Sequence, residues 1–291
     1  MSGAATPPLA AAVSNAGALG MLGIGRQSPA TIAAYLDEIA TLTSAPVGCT
    51  FIAPFVTDEV VAMVAARLSI VEFFYAWPDA ALLPLGPVCG WQVGSVDEAR
   101  AAVDAGCHYV IAQGIEAGGH VRGTTPLARL VEEIRSSSDV LIIAAGGIGS
   151  ADDVRAALAL GADAVRVGTR FVAAIESNAH PAYADALIAA NADDTVLTEA
   201  FGVGWSDAPH RVLASSVAAA EATGDEIVGE TLRPDGTTAP MPRFGANLPT
   251  RDTIGDIAAM ALYAGTSVGA VHRRQHAAEV VAELTADLGT R

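Results

Sequence analysis

The chain has 291 residues, of which 52% are hydrophobic and only 5% aromatic, so its core must be built mainly from aliphatic side chains. This length suits one large α/β domain or two smaller ones. The 16 basic and 32 acidic residues give a formal net charge of −16. That balance argues against nucleic acid as a partner, because phosphate neutralisation requires clustered lysines and arginines.

The three cysteines, Cys49, Cys89 and Cys107, are scattered and lie in or beside apolar runs. We therefore expect buried free thiols, and neither the cysteines nor the histidines show the spacing of a metal site. No apolar run is both long enough and sufficiently free of charge and glycine to cross a membrane. The first residues also lack the basic segment of a signal peptide. These features favour a cytoplasmic protein that binds no membrane.

Short apolar runs alternate with segments of helical periodicity from residue 8 to about residue 167. The predicted strands are 19–24, 47–52, 69–74, 88–93, 109–112, 140–144 and 164–167. The predicted helices are 8–15, 29–42, 58–67, 96–105, 126–136 and 151–160, with Ser28, Thr57, Ser95 and Ser150 as N-caps. This alternation predicts a parallel α/β fold, either a closed barrel or an open doubly wound sheet. Seven strands are found where a closed barrel has eight.

Beyond residue 171 the regular alternation ends. Helices are predicted at 181–190, 215–222, 253–263 and 273–288, an irregular segment at 193–209, and an extended, proline-rich excursion at 229–249. We therefore predict a barrel at 1–175 with a helical and extended elaboration at 176–291 that packs on it.

Glycine-rich turns follow two neighbouring predicted strands, at the end where parallel α/β folds bind their ligands. Gly146 and Gly147 precede the helix at 151–160, and Gly168 with Thr169 follows the next strand. Backbone amides and the positive end of a helix dipole at such turns can hold a phosphate. Two successive strand ends of this kind are typical of the phosphate site of a barrel.

A third turn carries the most reactive candidate side chain. His120 comes directly after Gly118 and Gly119, beyond the strand at 109–112. Glycines there let the backbone approach a flat or bulky group, and an imidazole can accept a proton when neutral or hold an anion when protonated. We expect surface or capping roles for the other histidines, His108, His180, His210, His272 and His276. Trp91 and Trp205 are expected to be packing anchors rather than cofactor-stacking residues.

Six stretches resemble the FMN-dependent nitronate monooxygenase family, formerly called 2-nitropropane dioxygenases. They are LAAAVSNAG at 9–17, AQGIEAGGH at 112–120, AAGGI at 144–148, VGTRF at 167–171, APHRVL at 208–213 and MALYAG at 260–265. The resemblance extends over nearly the whole chain, and EAGGH is its most specific part. It implies a TIM-like (β/α)8 barrel with an added helical region.

The resemblance also implies a cofactor, a site and a reaction. FMN is the implied cofactor, His120 the implied catalytic base or anion-holding group, and Gly119 its neighbour at the substrate. The residues expected to bind the cofactor are Thr50, Gln113, Gly118, Gly146, Gly147, Arg166, Val167, Gly168 and Thr169. The implied reaction oxidises an alkyl nitronate, a small anion, with O2 to a carbonyl compound and nitrite, without a nicotinamide.

The sequence departs from the family pattern at several points. The family's first strand ends in a Pro-Met-Gly-like turn against the flavin, and Met1, Ser2 and Gly3 take that place, so a truncated first strand is expected. Thr50 stands where the family usually has Asn, and Thr266 where Gln is frequent. Two alternatives stay open. One is an NAD(P)H-dependent flavin enoyl reductase of the related family, whose motif has Ser in place of Ala117. The other is a flavin-poor, non-catalytic relic.

Overall fold

The computed structural model describes residues 1–233, 236–286 and 288. The helices are α1 (Pro7–Asn15), α2 (Pro29–Leu42), α3 (Asp58–Ala65), α4 (Val96–Ala105), α5 (Leu127–Ser137), α6 (Ala151–Ala159), α7 (Thr169–Val172), α8 (Pro181–Ala189), α9 (Ala214–Ala222) and α10 (Ala277–Leu284). The strands are β1 (Gly20–Ile24), β2 (Val47–Ile52), β3 (Ile70–Phe74), β4 (Val88–Val93), β5 (Tyr109–Gln113), β6 (Gly119–His120), β7 (Leu141–Ala145), β8 (Ala164–Arg166), β9 (Thr195–Thr198), β10 (His210–Leu213), β11 (Ile227–Leu232), β12 (Thr238–Pro242) and β13 (Thr253–Gly255).

The four predicted N-caps are confirmed. The side chains of Ser28, Thr57 and Ser95 each accept the backbone amide three residues further on, at the start of α2, α3 and α4. Ser150 does the same at α6 and forms a reciprocal capping box with Asp153. These short polar side chains satisfy amides that the first helical turn leaves unpaired, which is why each helix begins where it does.

The strands predicted from apolar runs form one parallel sheet in the order β1-β2-β3-β4-β5-β7-β8. Arg166 on β8 nevertheless forms an ion pair with Glu72 on β3. In a flat sheet these strands would be four steps apart, roughly 19 Å at the usual spacing. The sheet must therefore curl until β8 faces β3, which confirms the predicted TIM-like barrel.

Residues 1–5 lie between the two ends of the curled sheet. Ala5 accepts a hydrogen bond from the amide of Gly23 on β1 (3.0 Å), and the Met1 carbonyl accepts the amides of Ala4 and Ala5. On the other side, the Met1 sulfur lies 3.5 Å from where a Cβ on Gly168 would be. No ladder joins β1 to β8 in the described residues. This short segment therefore covers the gap in the barrel wall at the carboxyl ends of the strands.

Two large clusters of buried apolar side chains fill the interior. The first fills the space between the sheet and its helices, and its largest members are Trp91, Phe51 and Phe73. The rings of Phe73 and Trp91 stack 5.2 Å apart. The second cluster lies among α8, α9 and the small sheets around Tyr183 and Phe201. Two clusters agree with a barrel and an elaboration, although the boundary near residue 175 stays a prediction. The three cysteines are buried free thiols, as predicted.

The C-terminal third differs from the sequence prediction in two places. The helix predicted at 253–263 is wrong: the segment forms β13 and a 3-10 turn, Ile257–Ala259, because it pairs with β11 instead of hydrogen bonding to itself. The segment predicted as irregular at 193–209 contains β9, which pairs with β10. The extended prediction at 229–249 holds for β11 and β12, with residues 234 and 235 outside the described part. The last predicted helix ends earlier, at Leu284, and residue 287 lies outside the described part.

Within the described ranges, no helix has the length and apolar character needed to cross a membrane. The same residues contain no group of three or more His, Cys, Asp or Glu side chains arranged to hold a metal ion. The predicted cytoplasmic location stays a prediction.

Trp91 and Trp77 offer a matched test of the barrel core. Trp91 is fully buried and its indole N–H donates to the Ala76 carbonyl at 3.1 Å, whereas Trp77 is 57% exposed. Trp91→Ala should lower the free energy of unfolding by about 3–5 kcal/mol, because it leaves a cavity in a close-packed core. Trp77→Ala should change it by less than about 0.5 kcal/mol. Urea denaturation measures both, and equal effects would contradict this packing.

Candidate active site

A cavity of about 310 Å³ lies at the carboxyl ends of the barrel strands. Residues 203–205 and 246–248 of the C-terminal region contribute its outer wall. Nine of the eleven predicted site residues line it, namely Thr50, Gly118, Gly119, His120, Gly146, Gly147, Arg166, Gly168 and Thr169. The three glycine-rich turns therefore meet at one place, while the role of each residue in binding stays a prediction.

Gln113 and Val167 are the two predicted site residues that do not line the cavity. The Gln113 side chain is buried and holds the strand that carries His120. Its amide nitrogen donates to the His120 carbonyl at 2.9 Å, and its amide oxygen accepts the backbone amide of Arg122 at 3.2 Å. These contacts use the polar atoms of Gln113 within the protein, so the structure places it behind the site.

At two adjacent strand ends, residues that line the cavity have backbone amides without a protein partner among the described residues. Gly146, Gly147 and Ile148 follow β7, and Gly168 follows β8. In the described part of the chain, none of these four amides donates to another protein group. Gly146 and Gly147 have φ values of 112° and 71°, a region that favours glycine, so the conformation of the turn explains why both residues are glycines. Clustered free N–H groups are the donor set that a phosphate takes.

The end of α6 contributes less than the sequence analysis expected. The amides of Gly149 and Ser150 both donate to the carboxylate of Asp153, at 3.0 and 2.9 Å. A negative group therefore already occupies the positive end of this helix. The hydroxyl oxygen of Thr169 accepts the amide of Gly265 at 3.0 Å and so anchors the segment beside the site. The free donors belong to the loop after β7 and to Gly168 after β8.

The two glycines before His120 are required for different reasons. A Cβ on Gly118 would lie 2.3 Å from the backbone nitrogen of Gly265, so this glycine is required by the packing of two chain segments. Gly119 has a φ of 77°, and a Cβ there would meet nothing within 4 Å. The close backbone approach to a flat group that the sequence predicts is therefore available at Gly119.

His120 lies under an aromatic cover. Its ring stacks on the indole of Trp205, with centroids 3.8 Å apart and an interplanar angle of 24°. The rings of Tyr263 and Tyr75 lie 5.5 and 5.7 Å away. Nε2 of His120 is buried and has no hydrogen-bond partner among the described residues. A buried polar atom that no protein group satisfies requires an explanation, and a bound ligand is one.

Burial lowers the pKa of His120 from 6.5 to about 3. The ring is therefore neutral at physiological pH. The stacked Trp205 opposes this shift in part, because an aromatic face attracts a cation. Of the two roles expected from the sequence, a hydrogen-bonding and proton-accepting imidazole fits this environment, and a resident imidazolium does not.

Several residues of the site received no functional role in the sequence analysis. Arg26, Phe55 and Tyr75 come just after β1, β2 and β3, so the rule that strand ends bind ligands could have indicated them. The Arg26 guanidinium lies 3.8 Å above the Phe55 ring and donates to the Gly204 carbonyl at 2.5 Å. Tyr75 has a φ of 68°, a strained conformation for a tyrosine that is typical of functional sites.

Two other residues belong to the site although the sequence assigned them ordinary roles. The surface or capping role predicted for His210 is wrong, because this side chain is fully buried and lies opposite His120 in the ladder between β6 and β10. Trp205 is a packing residue, as predicted, but it packs on His120 and lines the cavity. No local pattern could indicate either contact, since both depend on a pairing about 90 residues apart in the chain.

An ion pair lies at the floor of the cavity. Glu72 is completely buried and accepts hydrogen bonds from the hydroxyls of Thr50 (2.9 Å) and Tyr109 (2.8 Å). It also pairs with Arg166, whose side chain remains 22% exposed and lines the cavity. The charged side chains among the described lining residues are Arg26 and Arg166, with no carboxylate. In a chain of net charge −16, this cavity therefore favours an anion.

The ion pair can be tested in protein without bound ligand. Arg166→Met leaves the buried Glu72 carboxylate without its cation and should lower the free energy of unfolding by about 3–5 kcal/mol. Adding Glu72→Gln should restore most of the loss. Arg100→Met, at a pair exposed by 59% and 79%, should change it by less than about 0.5 kcal/mol. Urea denaturation of the wild type and of these three variants gives the four free energies of unfolding. An Arg166→Met variant as stable as the wild type would rule out the pair.

The neutral state of His120 predicts an acid-sensitive contribution to stability. Between about pH 6.5 and 3 the unfolded chain binds a proton at His120 that the folded chain does not. Stability therefore falls as the pH falls through this window. Between pH 7.5 and 5 the wild type should lose about 1 to 2 kcal/mol more than His120→Gln, which lacks the titrating group. Thermal or urea unfolding at both pH values measures this, and an equal loss would contradict the buried neutral ring.

The fold and the site define a TIM-barrel enzyme whose strand ends offer unpaired backbone amides beside a buried imidazole. The chain belongs to the nitronate monooxygenase family: the family model described as "Nitronate monooxygenase" matches residues 1–59 and 57–287. The chain is 30% identical over 252 residues to a probable nitronate monooxygenase of Staphylococcus aureus strain Newman, covering 69% of this chain and 71% of that one. The resemblance inferred from the sequence is confirmed.

Two solved structures are similar to this chain over 98% of its length. FabK from Thermotoga maritima has a TM-score of 0.80, 30% sequence identity and 89% coverage of its own chain. Nitroalkane oxidase from Streptomyces ansochromogenes has a TM-score of 0.75, 28% identity and 92% coverage. The family and these neighbours are flavin-dependent oxidoreductases, so this protein is an enzyme of that class.

Proposed function

We propose that this protein is an FMN-dependent monooxygenase that oxidises alkyl nitronates with O2 to a carbonyl compound and nitrite. The observation that carries the proposal is the charge of the cavity, which holds Arg26 and Arg166, a neutral His120 and, among the described lining residues, no carboxylate. A nitronate is a small anion. The Arg26 guanidinium would attract it, since the charge of Arg166 is offset by Glu72, and a neutral imidazole can accept a proton from, or hydrogen bond to, a substrate beside it.

The residues present fit FMN. The free amides of Gly146, Gly147, Ile148 and Gly168 would hold its phosphate, and the open backbone at Gly119 leaves room for a flat ring. When bound, the flavin supplies the electron acceptor for the substrate and the electron donor for O2. The chain's own contribution is to bind and orient both molecules and to keep water away from them.

The aromatic rings packed around His120 would exclude water from it. Trp205 stacks on His120, and the rings of Phe55 and Tyr75 lie edge-on against the indole at 4.9 and 4.7 Å. This apolar surround keeps the imidazole neutral and strengthens its hydrogen bonds to a ligand, because electrostatic interactions are stronger in a medium of low dielectric. His120 Nε2 has no protein partner to compete with such a ligand.

A second candidate function is an NAD(P)H-dependent flavin enoyl reductase. The similarity to FabK supports it, at a TM-score of 0.80 and 30% identity. Ala117, where that group has Ser, favours the monooxygenase instead. Two assays separate the alternatives: O2 uptake with nitrite release from an alkyl nitronate, and NADPH consumption with an enoyl thioester. Purified protein that takes up no FMN would support the third alternative, a non-catalytic relic.

His120→Ala tests the proposed role of the imidazole. Removing the ring should lower nitronate turnover by about two decades or more, a typical contribution of a general acid or base, while FMN stays bound. Nitrite release measures turnover, and the flavin absorption bands measure cofactor content. His108→Ala is the control, because His108 is exposed and lies before the amino end of β5, away from the cavity. Unchanged turnover in His120→Ala would exclude this role.

A further inference from the structure

Both ring nitrogens of the fully buried His210 are engaged by the backbone. Nε2 accepts the amide of Phe201 at 3.2 Å, and Nδ1 lies 2.8 Å from the carbonyl oxygen of Ala208. An amide can only donate and a carbonyl can only accept. His210 must therefore be neutral, with its proton on Nδ1, because protonation of Nε2 would remove the acceptor for Phe201.

Phe201 and Ala208 lie near opposite ends of the segment 199–209, which joins β9 to β10 and carries Trp205. We call this segment the Trp205 loop. The ring of His210 thus joins the two ends of the loop from inside the protein. Further contacts hold the outer part, where the backbone of Val203 bonds to Phe244 and Ala246. The inner connection through His210 determines how the loop leaves and re-enters the fold.

The same histidine is also next to the reactive ring. His210 is the ladder partner of His120, and the ring centroids are 5.3 Å apart. The Val121 amide donates to the Pro209 carbonyl at 2.8 Å, which extends the connection between the two strands. His210 therefore contacts both parts of the stacked pair: the strand that carries His120 and the loop that presses Trp205 onto it. It does not line the cavity.

We propose that His210 is a positioning residue, which braces the Trp205 loop so that the indole stays stacked on His120 and keeps water from it. It acts through Trp205 and touches neither substrate nor cofactor. The inference deepens the proposed function and, for its kinetic consequence, rests on it. A histidine with two hydrogen bonds that merely stabilised the fold would make no difference to Trp205 in particular, and this distinguishes the two interpretations.

Substitution of His210 by asparagine or glutamine tests its two hydrogen bonds individually. Asparagine places an N–H near the position of Nδ1 and loses the acceptor for Phe201. Glutamine places an amide oxygen near the position of Nε2 and keeps that acceptor. A buried N–H without a partner is rarer in proteins than an under-satisfied carbonyl. His210→Asn should therefore loosen the Trp205 loop, and His210→Gln should largely preserve it.

The experiment measures acrylamide quenching of Trp205 fluorescence in full-length protein that also carries Trp77→Phe. The remaining tryptophan, Trp91, is fully buried and quenches little. His210→Asn should raise the quenching constant at least about threefold and lower kcat for an alkyl nitronate about tenfold, equivalent to about 1.4 kcal/mol. For His210→Gln, the quenching constant and kcat should both stay within about twofold of the values for the Trp77→Phe protein.

His108→Gln is the matched control, because the glutamine amide reaches the Nε2 position and leaves no acceptor at the Nδ1 position. The Nδ1 atom of His108 also accepts a backbone amide, that of Cys89 at 3.0 Å, but it lies before the amino end of β5. This variant should change neither measurement. Unaltered quenching in His210→Asn would overturn the proposal, as would equal loosening in the Asn and Gln variants together with an equal fall in Tm. If the Trp77→Phe parent protein showed no nitronate turnover, only the proposed function would be refuted. The quenching comparison would still test whether His210 positions the Trp205 loop.

Discussion

The structure depends on the curling of one parallel sheet, and the buried carboxylate of Glu72 shows how far the curling goes. Glu72 on β3 is bonded to Thr50 on β2, Tyr109 on β5 and Arg166 on β8. A buried carboxylate is tolerated only when its lone pairs are satisfied and its charge is balanced. Four strands must therefore converge on one point. That convergence brings the loops after β7 and β8 to the cavity that also receives His120.

A second constraint is the exclusion of water from His120. The barrel strands alone leave the carboxyl-end cavity open, and the C-terminal region closes it with the Trp205 loop and residues 246–248. The site is thus built from two parts of the chain with different tasks. The barrel supplies the free amides and the Arg166 cation, and the added region supplies the apolar cover that makes the imidazole neutral. The family assignment agrees with this division, since its model matches both parts.

Much of the site was predictable because it follows a local rule. Gly146, Gly147 and Gly168 stand directly after strands, and every parallel strand of a barrel ends on the same face. Once the strands had been recognised, the meeting of these glycines in one cavity could be predicted. Gln113 shows the limit of this reasoning. It is next to the predicted turn in sequence, yet its side-chain amide is bound to the backbone of His120 and Arg122, because the chain returns past Gln113 after the turn.

The amino-acid sequence by itself determined the parallel strands, the helix caps and the positions of the glycine turns, because apolar periodicity, capping side chains and left-handed backbone conformations all act within a few residues. Only the tertiary structure decided that 253–263 is not helical, that His210 is buried opposite His120, and that Trp205 covers the reactive ring. Each of these depends on pairing between segments far apart in the chain. The competing local preferences are weak, so burial and ladder hydrogen bonds formed on folding override them.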